Sequence, residues 1–112
     1  MRIEELRTLL EFNYWANERL REFAGKVPVE ELMRARGMNY ESLLGTLVHI
    51  LDAEWSWRVG CETGTWPNED LTVQTIPDLA ALRARCDEEA AGMRSFLSSL
   101  ADADADSART FR

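Results

Sequence analysis

The sequence predicts an all-α fold, an antiparallel bundle of three long helices, and three observations carry that prediction. Apolar residues recur at spacings of three and four along three separate stretches. Helix-start and helix-stop residues bracket those stretches. The Gly- and Pro-bearing segments fall between them, where loops belong. At 112 residues the chain fits one domain, 1–112, with one core.

The first helix runs from Arg2 to about Ala24, with Leu9, Phe12, Ala16, Leu20 and Phe23 on one apolar face and Leu6 and Leu10 beside it. Gly25 closes it, and Val27 to Leu32 forms a connector with one short helical turn before a break near Gly37. Asn39 is the expected N-cap of the second helix, which runs from Tyr40 through Trp57 and stops around Gly60. Cys61 to Ile76 has loop chemistry, with Gly64, Pro67 and Asn68, and its Trp66 is expected to fold back onto the bundle. The third helix begins after Pro77-Asp78 and extends through Leu100. An Asp-Ala run and the tail from Ser107 to Arg112 follow. Three antiparallel helices leave a groove that four-helix bundles fill, so either a partner chain or an absent helix is expected to cover it.

Thirteen Lys and Arg against twenty Asp and Glu give a formal charge of −7, which argues against nucleic acid and anionic membrane as partners. The N-terminus carries acidic residues where a signal peptide would carry its apolar run, and no stretch is long enough to span a bilayer. A cytoplasmic protein with reduced cysteines is expected. Cys61 and Cys86 lie 25 residues apart and match neither a zinc knuckle nor a redox motif.

A single histidine bounds the chemistry, because imidazole is the usual proton shuttle and metal ligand near neutral pH. On the second helix, Ser42, Gly45, Thr46, His49, Asp52, Ala53 and Ser56 fall in a narrow arc of small or polar residues centred on His49. Glu54 and Arg58 lie roughly opposite. If those two face water, His49 faces the bundle interior, where it either bonds a neighbour or binds a metal. Asp52 could orient the ring or add a carboxylate ligand. Asn13 and Asn17 on the first helix read as interhelical hydrogen-bonding residues that fix register. Cys86 reads as a buried thiol, and Asp87-Glu88-Glu89 as solvated surface. Phosphate loops, nucleophile elbows and H-E-x-x-H pairs are absent from the sequence.

Tyr14-Trp15-Ala16-Asn17-Glu18-Arg19-Leu20, followed by the second-helix run from Leu43 to Trp57, resembles the DinB/YfiT-like family of small helical metalloproteins. The resemblance implies a four-helix bundle, of which three long helices are present, and a homodimer. It also implies a divalent metal, nickel or zinc, held by three histidines. His49 matches the second-helix ligand, and the H-x-x-x-H pair of the family's last helix is not in the sequence. The resemblance therefore implies a C-terminally incomplete domain, inactive as it stands. A complete member would carry thiol-S-transferase or hydrolase-like chemistry on a small-molecule substrate. The alternative is a non-catalytic helical module that dimerises through Trp-rich surfaces and uses His49 structurally.

Overall fold

A computed structural model of the chain describes residues 2–37 and 39–106. Among the described residues five helices follow in order: α1 (Ile3–Ala24), α2 (Val29–Met33), α3 (Leu43–Thr63), α4 (Leu79–Ser98) and α5 (Asp102–Ala105). The three long ones are those the spacing predicts, and the described residues form an all-α bundle. In it α4 packs against both α1 and α3, while α2 leans on α3. The tail from Ser107 onward lies outside the described residues.

The helix ends follow local chemistry. At the start of α1, Glu4 and Glu5 complement the helix dipole, and Asp102 of α5 accepts the Ile3 N–H at 3.0 Å, so the Asp-Ala run ties down the N-terminus. Ser42, not Asn39, is the N-cap of α3; its hydroxyl accepts the Gly45 N–H at 2.9 Å. Gly60 does not stop that helix. It is buried inside it, and the chain leaves the helix only at Gly64, whose φ of 76° supplies the left-handed cap. Asp78 caps α4 by accepting the Ala81 N–H, as Pro77-Asp78 predicts.

The core is concentrated at one end of the bundle, where Ala24, Leu32, Leu44, Val48, Leu51, Ile76 and Leu82 pack together. Towards the middle the interior turns polar. Asn13 and Asn17 both donate to Glu54 Oε1 at 2.8 Å, joining α1 to α3 as the expected register lock. Arg58 reaches from α3 to α4 and donates to both oxygens of Glu89 at 2.7 and 2.8 Å.

These contacts correct three expectations. Glu54 and Arg58 face neighbouring helices, not water. Glu89 is not solvated surface but 1% exposed, because the guanidinium of Arg58 compensates its charge. The apolar face of α1 is turned outward: Leu9, Phe12, Leu20 and Phe23 are exposed, and α1 meets its neighbours through Leu6, Leu10, Asn13, Tyr14, Asn17, Arg21 and Ala24. Buried polar groups need partners more strictly than apolar side chains need burial, so the polar contacts decide which side of α1 faces in.

Candidate functional site

His49 lies on the side of α3 away from Glu54, half-buried, on the rim of an open cavity of about 390 Å³. The cavity walls are the two connectors that flank α3: Tyr40 and Glu41 before the helix, and Asp70 to Gln74 from the loop after it. The lane of small residues around His49 therefore does not open the middle of the bundle. It makes room for these connectors. A Cβ on Gly45 would run into the Tyr40 carbonyl, so only glycine lets that strand of chain lie across the helix.

Local backbone chemistry aims the first connector at His49. The Ser42 N–H bonds back to the Tyr40 carbonyl at 2.7 Å around Glu41, whose φ is 64°. This is a γ-turn in the left-handed region, which a non-glycine residue occupies at a cost. Arg36 N–H holds the turn by donating to the Glu41 carbonyl at 2.6 Å. The turn lays the Tyr40 ring on the imidazole, with centroids 3.9 Å apart and planes inclined by 13°. Asp52 fixes the second connector: its Oδ1 accepts the Leu71 N–H at 2.8 Å.

The structure thus brings together His49 and Asp52, the two residues singled out on the small-residue lane, and adds Tyr40, Glu41 and Asp70. Tyr40 carried no signal in the sequence, because as the expected first residue of the second helix it would lie opposite His49, whereas the chain enters α3 only at Leu43. Cys86 is not part of this site. It lines the interface of α1 and α4 with Asn17 and Glu54, where burial pushes its thiol pKa up, as expected of an inert buried cysteine. Trp66 packs edge-on against Trp57 of α3, with centroids 4.8 Å apart, so the expected return of the loop onto the bundle is observed.

One imidazole and the carboxylates of Glu41, Asp52 and Asp70 border the cavity, a donor set that suits a cation in kind. In placement it falls short: among the described residues no three His, Cys, Asp or Glu side chains gather closely enough to hold a metal ion. Asp52 already spends one oxygen on the Leu71 amide. A zinc site needs three or four protein ligands, so the described residues do not by themselves fit a resident metal.

A helical bundle carrying one histidine beside an open acidic cavity defines the class. Within that class the chain belongs to the DinB family, which it matches over residues 1–110. No curated protein and no solved structure matches it. Among the described residues no helix is long and apolar enough to cross a membrane.

Proposed function

We propose that this DinB-family chain takes part in divalent-metal chemistry through the cavity beside His49, with His49 as one nickel or zinc ligand and further donors coming from outside the described residues. The observation that supports the reading is the placement of the chain's single imidazole. It borders an open, carboxylate-lined cavity instead of filling the core. Transfer of a small thiol or hydrolysis at such a metal would require at least two donors beyond His49, so no step of that chemistry is assigned to the described side chains.

The test is metal content. Protein purified without an affinity tag, then equilibrated with nickel or zinc and desalted, is measured by elemental analysis alongside His49→Ala. Retention near one ion per site that is lost in the variant is the expected result. Equal metal in both proteins overturns the reading.

A second reading is favoured by the Tyr40 stack: a non-catalytic helical module in which His49 is a flat ring that seats the connector. On that reading His49→Phe, which keeps the stacking surface, preserves thermal stability while His49→Ala lowers it, and neither changes metal content.

A further inference from the structure

The long helices are not held alike. Of the 22 residues of α1 only the two ends, Ile3 and Ala24, are buried, and Ala24 is the helix's one member of the apolar core. That core is otherwise built by α2, α3, α4 and the segment before α4, through Leu32, Leu44, Val48, Leu51, Ile76 and Leu82. Between its ends α1 faces space as much as side chains. An open cavity of about 440 Å³ separates it from α4 beside Asn17, Cys86 and Ala90, and another of about 220 Å³ lies next to it beside Leu10, Met93 and Leu97. Side chains that face a gap forfeit the dispersion contacts that hold a packed helix in place.

What crosses the gaps is polar. Arg94 of α4 pairs with Glu11 at 2.7 Å, but both side chains are 53% exposed, and Arg83 comes within 3.6 Å of Glu18 with both again open to water. Such pairs add little, because water solvates the separated charges almost as well. The Asn17 bond to Glu54 borders the larger cavity, where solvent takes it over once the helices part. The two ends of α1 differ in kind. At its C-terminal end Ala24 stays in the core, and Gly25 to Val27 form a short joint before Pro28 and α2. At the other end, about 32 Å away along the axis, the Ile3 N–H donates to Asp102 of α5 at 3.0 Å. A bond at the far end of a lever acts as a latch.

We infer that α1 is a hinged strap: it swings as a unit about the joint at Gly25 to Val27, is latched at its far end by Asp102, and gates the cavities over Glu54 and Cys86 while α2, α3 and α4 keep their core. Opening joins the two cavities into one groove, with Glu54 on its floor and Cys86 on its wall. Regions with few buried apolar contacts open first and as cooperative units, and a helix released from its neighbours is marginal in water, so its amides exchange. The device is independent of His49, which lies on the other side of α3.

The experiment reads opening in two ways on the full chain. In native-state hydrogen exchange the amides from Leu10 to Arg21 are expected to exchange at least about thirtyfold faster than those of Leu51 and Leu82, and to share one dependence on low concentrations of urea, as amides released together do. A smaller difference overturns the inference. The second reading uses Cys61→Ser, in which modification by N-ethylmaleimide reports on Cys86. Asp102→Ala removes the latch from an exposed segment, so circular dichroism of that variant should match the parent. It should nonetheless speed the exchange of the Leu10 to Arg21 amides and the modification of Cys86 by the same factor, several-fold. Acceleration confined to the first turn of α1, with Cys86 modified at the parent rate, shows fraying of an end in place of a swinging helix and also overturns the inference.

Discussion

Replacing Arg58 by methionine tests the polar interior directly. Arg58 reaches from α3 onto α4 with its side chain 16% exposed, and donates to both oxygens of Glu89, which has almost no contact with solvent. A third bond runs to Glu62 at 3.0 Å, and Gly92 leaves the space on α4 in which the guanidinium lies, 3.1 Å from where a Cβ would stand. The hydrogen bonds to Glu89, foremost, hold the Arg58 pKa above the ordinary guanidinium range. Arg58→Met keeps most of the apolar stem but strands a carboxylate where water cannot reach it. Breaking a buried pair from one side costs about 3–5 kcal/mol, a large share of the roughly 5–15 kcal/mol that holds a domain together. For a chain of this size that is a fall of about 10–20 °C in Tm, read by circular dichroism at 222 nm. The second arm decides the cause. Arg58→Met with Glu89→Leu removes both charges and fills the gap with apolar atoms, and should recover stability to within about 1 kcal/mol of the parent. A single variant that loses less than about 1 kcal/mol, or a double variant no more stable than the single, refutes the placement of Glu89 in a dry interior.

Two further outcomes concern the same interior and a third the turn at Glu41. Burial raises the Tyr14 pKa from 10.0 to about 12, with Glu54 and Glu89 adding to the effect; because the folded value lies above the unfolded one, its contribution to stability is complete below pH 10 and is lost as pH rises through 12. In Tyr40→Phe, which leaves Tyr14 as the last tyrosine, absorbance at 295 nm should titrate well above pH 10 in the folded protein and near 10 in denaturant. Glu54→Ala removes the acceptor shared by Asn13 and Asn17 and should cost about 2–4 kcal/mol in urea unfolding, while Glu54→Gln, which still offers a carbonyl oxygen, should cost less than half of that. Glu41→Gly relieves the left-handed strain of the γ-turn and should stabilise the chain by about 1 kcal/mol. Loss of stability in that variant would show that the Glu41 side chain contributes more than its backbone costs.

The helices were legible because their signals are local. Spacing gave three long stretches, Asp78 gave the start of α4, and the pair Asn13 and Asn17 announced a contact across helices. Which side of each helix faces inward was not legible, for a reason that α3 makes plain. Its apolar residues lie nearly all round, with Leu44, Val48 and Leu51 buried and Leu43, Ile50 and Trp57 only partly so or exposed. Orienting it therefore rested on sending Glu54 and Arg58 to water, and those two charges have their partners on α1 and α4, far away in sequence. A single sequence shows that a charge exists but not what neutralises it.

The inversion of α1 has the same origin and links the fold to its surfaces. The side of α1 that meets α3 and α4 is selected by the hydrogen-bonding needs of Asn13 and Asn17, and on the same side the Arg21 carbonyl accepts from the Arg83 guanidinium at 3.1 Å. The strongest apolar stripe of α1 is then left on the outside of the bundle that the described residues form. The His49 cavity reflects the opposite economy. Small residues on the outer side of α3 admit the Tyr40 turn and the Leu71 segment, so the imidazole is enclosed by chain that belongs to no helix, and helical periodicity had no means of indicating it. Register is thus fixed by the polar interior, while the apolar stripe of α1 and the His49 cavity lie on sides turned away from it.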